Sequence, residues 1–200
     1  MKGMNYHDYI WDLGGTLLDN YGMSTKAFVA TLADFGLTAT YKQVYDKLRE
    51  STDTAISYFV PNCPAFREAY KKNEAAFLEK PILFAGAREV LEKIVAGGGR
   101  NFLVSHRDNQ VLEILDKTKI ASLFTEVVTA SNGFARKPDP ASMLYLKKKY
   151  ALTNALVIGD RKIDVQAGQA AGFDTVLVDG SKSLIESIKM KVKGKNDRRK

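Results

Sequence analysis

The chain is short of the residues that cross-link or span. Its 200 residues contain a single cysteine, Cys63. That excludes an internal disulfide framework and fits a reducing compartment. No run approaches the roughly 18 apolar residues that cross a bilayer. Met1 to Asp12 holds no apolar stretch of signal-peptide length. A cytoplasmic location with no membrane partner is therefore expected. There is no internal repeat, and nothing around Cys63 marks it as a nucleophile. Charge imbalance is also scarce outside one end. The net charge is +7, but Lys189 to Lys200 holds seven basic residues and one acidic residue. The body is thus close to neutral. A terminal block of like charge is expected to be disordered, so 191–200 reads as a basic tail. Nucleic-acid binding would rest on that tail alone and is not favoured.

What is present is an ordinary globular composition, 45% hydrophobic and 26% charged, long enough for a real core. A first strand, residues 9–13, ends at Gly14-Gly15, a turn that glycine makes cheaply. Helical spacing then predicts helices near 25–35, 41–49, 54–60 and 64–79, with Gly36, Pro61 and Pro81 as stops. From residue 81 the pattern changes to alternating elements. Helices are predicted at 86–96, 109–117, 140–150, 165–171 and 183–190, and strands at 102–105, 126–129, 155–158 and 175–178. Such alternation predicts an α/β fold, a Rossmann-like parallel sheet with helices on both faces. The predicted organisation is a core of 1–19 with 81–190 and an all-helical cap of 20–80.

Ligands of such sheets sit at the carboxyl ends of the strands. Asp12, Ser105 and Asp160 fall there, and Lys137 precedes a Pro-rich turn that opens a helix. Asp12 could merely cap a turn, and Asp160 or Asp164 could cap a helix. Two acidic strand ends side by side repel, however. A hard cation such as Mg²⁺, which takes carboxylates plus a substrate phosphate, resolves the repulsion. Ser105 could bond a phosphate oxygen, as could the amide of His106 at the entry to the next helix, and the His106 ring or amide could contact ligand. Pro138 and Pro140 stiffen the setting of Lys137, which helps a point charge placed near phosphate.

In order and spacing these segments resemble the four motifs of the haloacid dehalogenase-like hydrolases, including a phosphoglycolate phosphatase-like subgroup. The resemblance covers roughly 8–20 and 81–180. It implies Asp12 as nucleophile, Ser105 and Lys137 as phosphate-binding and catalytic groups, and Mg²⁺ held by Asp12, Asp160, Asp164 and the backbone carbonyl of Gly14. It further implies an aspartyl-phosphate intermediate and a small phosphorylated metabolite as substrate, in a monomer or weak dimer. One position departs. Phosphatases of this family carry an Asp two residues after the nucleophile, as general acid/base, and this chain has Gly14. Asp8, Asp19, His106 or a cap residue could supply the acid. Alternatively the substrates are activated esters or acyl phosphates whose leaving groups need little protonation, or the protein is an impaired phospho-ligand-binding module or a phosphonate-type hydrolase, for which a cap lysine such as Lys42 or Lys47 would be needed.

Overall fold

A computed structural model describes residues 6–179 and 182–197. Five strands make one sheet: β1 (Asp8–Trp11), β2 (Arg100–Val104), β3 (Glu126–Val128), β4 (Ala155–Gly159) and β5 (Asp174–Leu177). Their spatial order is β3-β2-β1-β4-β5, and every pair is parallel. The first strand in the chain is thus the centre of the sheet, with crossovers running outward on either side. Ligand crevices form where the winding reverses in this way, beyond the strands' carboxyl ends. Trp11 lies opposite both Leu103 and Ile158. The residues following these three strands are therefore neighbours.

Successive strand residues alternate between the two faces. Ile10, Phe102, Val104 and Val157 share a buried cluster with Met143, Leu146, Ala167 and Ala171 of two covering helices. Tyr9 and Trp11 take the other face, their rings stacked 6.4 Å apart. There the Trp11 indole N–H donates to Asn101 Oδ1 at 3.0 Å, and Asn101 donates to the carbonyls of Leu91 and Leu123. A buried amide is tolerable only when satisfied in this way.

The chain divides into two compact units. One contains the residues up to Leu18 and those from Leu83 onward, and the other is Asp19–Ile82. The second unit is built of α1 (Asn20–Asp34), α2 (Tyr41–Glu50), α3 (Thr52–Phe59) and α4 (Pro64–Leu78). Phe28, Phe66 and Tyr70 pack edge to face at its centre. Helix α1 starts five residues earlier than periodicity suggests, because Asp19 accepts from the Gly22 amide and caps it.

The first unit carries α5 (Ala87–Ala96), α6 (Gln110–Lys117), α7 (Ala141–Tyr150), α8 (Lys162–Ala170) and α9 (Leu184–Asp197). The expected basic tail, 191–200, falls partly within the described residues. Residues 191–197 continue α9, and only 198–200 lie outside the described residues. Leu184 and Ile188 are buried and seat the helix. Among the described residues, no helix is long and apolar enough to cross a membrane.

Candidate active site

Asp12 is the first residue beyond β1, and its amide donates to Ile158 O at 2.9 Å. The chain then turns tightly. The Leu13 carbonyl accepts from Thr16, Leu17 and Leu18, and Gly14 bridges to Leu18. Gly15 sits at φ 83°, a left-handed conformation that a side chain disfavours.

Beyond β4, Asp160 comes beside Asp12. Asp164 arrives from the first turn of α8, where its Oδ2 accepts from the Arg161 amide at 3.1 Å. This back-bond starts α8 at Lys162, three residues earlier than predicted. Asp12, Asp160 and Asp164 each offer a carboxylate oxygen, and these atoms lie within 4.8 Å of one another.

Lys137 ties the cluster together. Its Nζ lies 2.5 Å from Asp12 Oδ1, 2.5 Å from Asp164 Oδ1 and 3.1 Å from the Val104 carbonyl. An ammonium has three donors, and all three are engaged. The side chain is 2% exposed. Burial opposes its charge, but the Asp12 and Asp164 carboxylates outweigh that and hold its pKa above the ordinary lysine value. Burial raises the pKa of Asp12, with Asp164 adding to the effect and Lys137 opposing it. Asp12 and Asp164 face this one ammonium, and the Asp160 carboxylate lies beside them. Hard oxygen donors so placed suit Mg²⁺.

Ser105 follows β2 and is buried. Its amide donates to Val128 O, and its Oγ accepts from the Arg107 amide at 3.2 Å. The His106 ring is engaged within the protein. Its Nε2 accepts from the Lys137 amide at 2.7 Å. A cavity of about 210 Å³ opens beside Ser105 and His106, lined also by Phe134, Arg136 and Ser142.

The structure also sorts the residues considered as stand-in acids. Asp8 lies at the opposite end of β1 from Asp12, about 13 Å away at the strand rise of roughly 3.3 Å per residue. It is paired there with Arg100 Nε at 2.6 Å. Asp19 caps α1. Lys42 and Lys47 are taken up by Asp46 and Glu50 on their own helix. Sequence reasoning missed Gly159. A Cβ there would collide with the Cβ, Cγ and Oδ2 of Asp164. A glycine at a strand end directly before an Asp was the available signal.

Known proteins bear on this arrangement in three ways. The family profile described as haloacid dehalogenase-like hydrolase matches residues 9–178. A crystal structure of a hydrolase from Streptococcus pneumoniae TIGR4 is 61% identical with a TM-score of 0.83, covering 92% of this chain and 96% of that one. The phosphoglycolate phosphatase of Aliivibrio fischeri is 27% identical over 179 residues, 81% of this chain and 79% of that protein. The phosphoglycolate phosphatase of Pseudomonas putida is 28% identical over 114 residues, 56% of this chain but only 40% of that protein. With a match spanning both ends of the sheet and every strand end that carries the cluster, the chain belongs to the haloacid dehalogenase-like hydrolases.

Proposed function

We propose that the protein is a Mg²⁺-dependent phosphatase of small phosphorylated metabolites, working through an aspartyl-phosphate on Asp12. One observation carries the reading: the Lys137 ammonium bridges Asp12 and Asp164 within reach of a third carboxylate. This is a strand-end nucleophile held beside a cation site. Relatives named phosphoglycolate phosphatase support a small phosphomonoester as the substrate class.

The carboxylates of Asp12, Asp160 and Asp164 would hold the metal, with the Gly14 carbonyl as a further donor. When bound, Mg²⁺ neutralises charge on the phosphoryl group and on the attacking carboxylate. Asp12 then attacks phosphorus through one carboxylate oxygen, the bond from phosphorus to the leaving oxygen breaks, and the leaving alkoxide takes a proton. Lys137, with Ser105 and the His106 amide, stabilises the developing charge. Water attacks the acyl phosphate, loses a proton, and returns Asp12 as a carboxylate and free phosphate.

The leaving-group proton has no donor at Gly14. An absent general acid typically costs about 10²–10⁴ in rate. Substrates whose leaving groups need little protonation, such as acyl phosphates and activated esters, are the best fit. Gly14 also favours one alternative, a slow or inactive protein that retains phospho-ligands.

The test compares wild type, Asp12→Asn and Gly14→Asp on phosphoester and phosphonate panels, with and without Mg²⁺. Mg²⁺-dependent phosphate release that disappears in Asp12→Asn supports the phosphatase. A gain in ester hydrolysis for Gly14→Asp identifies a phosphatase lacking its acid. Turnover on phosphonates alone, or phosphate binding with no turnover on any panel member, discards the proposal.

A further inference from the structure

His106 and Lys137 are 31 residues apart and joined by one bond, from the Lys137 amide to His106 Nε2 at 2.7 Å. An imidazole nitrogen accepts only through its lone pair, so the ring must be neutral with its proton on Nδ1. Burial, followed by the positive charges of Lys137 and Arg136, lowers the ring's pKa to about 4, with Arg161 adding to this and Asp164 opposing it. The ring therefore stays an acceptor through the neutral range. The bond acts on a residue whose side chain must reach three separate oxygens, those of Asp12, Asp164 and Val104. A lysine stem has four carbons and considerable rotamer freedom to lose. Where its backbone sits decides whether the ammonium can bridge at all.

We propose that His106 is a positioning residue, whose Nε2 anchors the Lys137 backbone so that the ammonium stays between Asp12 and Asp164 while phosphate is bound. The claim rests on the phosphatase reading for its kinetic consequence, but not for its geometry. It gives the ring a different task from the phosphate contact that its position beside Ser105 suggests. With Nε2 accepting from the amide, the ring keeps only its Nδ1 N–H to donate elsewhere. The link also couples two strand ends: Ser105 and His106 follow β2, so whatever moves them moves Lys137.

Two variants separate anchoring from space filling. His106→Gln places an amide oxygen near the Nε2 position, while His106→Leu keeps comparable bulk without an acceptor. In the wild type at neutral pH, NMR is expected to show a scalar coupling across the N–H···N bond between Lys137 N and His106 Nε2, with slow exchange of that amide. His106→Leu is expected to lower kcat about tenfold while KM moves less than about twofold, and His106→Gln to recover most of the loss. Thermal unfolding of both variants confirms that they fold.

No coupling and fast amide exchange in the wild type would overturn the proposal whether or not the protein turns over. So would a His106→Leu enzyme with wild-type kcat, or one whose loss is entirely in KM, which would make the ring a ligand contact. Should the phosphatase reading itself fail, the same variants are compared by ¹⁵N relaxation of the Lys137 ammonium. Mobility gained in His106→Leu and reversed in His106→Gln sustains the anchor, and equal mobility in all three removes it.

Discussion

Asp164 occupies the space that a side chain on Gly159 would need. The two residues close the end of β4 against the first turn of α8, and Asp164 in turn holds Lys137. Gly159→Ala is expected to push Asp164 off its position, costing about 1–3 kcal/mol as overpacking does and lowering Mg²⁺-dependent activity at the same time. Urea unfolding and phosphate release measured on one preparation check both. Unchanged stability together with unchanged activity would show that the contact relaxes freely.

Mg²⁺ held by the carboxylate cluster, as proposed, would be a stabilising ligand. At 100 times its dissociation constant a ligand of the folded state adds about 2.7 kcal/mol. The wild-type melting temperature is expected to rise with Mg²⁺ concentration, and Asp160→Asn to flatten that rise without abolishing the fold. An Asp160→Asn titration that overlays the wild type would place the ion elsewhere.

Removing the ammonium leaves two buried carboxylates facing each other. Lys137→Met is expected to destabilise the protein by about 3–5 kcal/mol in a chelator, the usual cost of stripping one partner from a buried ion pair. Mg²⁺ should return part of that stability, because it supplies the missing charge. Urea midpoints with EDTA and with Mg²⁺ give the comparison. Equal midpoints for wild type and variant in EDTA would mean that the two carboxylates are not both charged in the folded state.

His106 gives stability a pH dependence of definite sign. Its folded pKa is held at about 4, against an ordinary value of 6.5. The unfolded chain therefore takes up this proton first, and stability rises with pH wherever the unfolded state binds more protons. The contribution is complete above about 6.5 and drains away as pH falls toward about 4. His106→Gln should remove that part of the acid slope, as read from unfolding free energies between these limits. A slope identical to wild type would place the imidazole in solvent.

The strand ends were legible in the sequence because each is an apolar run stopped by Asp, Ser or Gly. That is why Asp12, Ser105 and Asp160 could be picked out one by one. What could not be read depends on partners distant along the chain. The start of α8 is set by Asp164 reaching back to Arg161, not by apolar spacing. The short 3₁₀ turn Ala130–Asn132 is closed by reciprocal bonds between Thr129 and Asn132, which no periodicity announces. His106 was visible as a candidate, but its partner was not, since nothing local points from a histidine to an amide 31 residues away.

The central place of β1 also decides when the cluster can exist. The strand is made first, yet its neighbours begin only at Arg100 and Ala155. Its apolar edges stay unpaired while the intervening chain is synthesised. The helices of Asp19–Ile82 contact one another within the same stretch of chain, so they can consolidate early, as local contacts do. Asp12 meets Asp164 only after α8 has been laid down. A ribosome paused anywhere before that point holds a chain with Asp12 already made and nothing to align it.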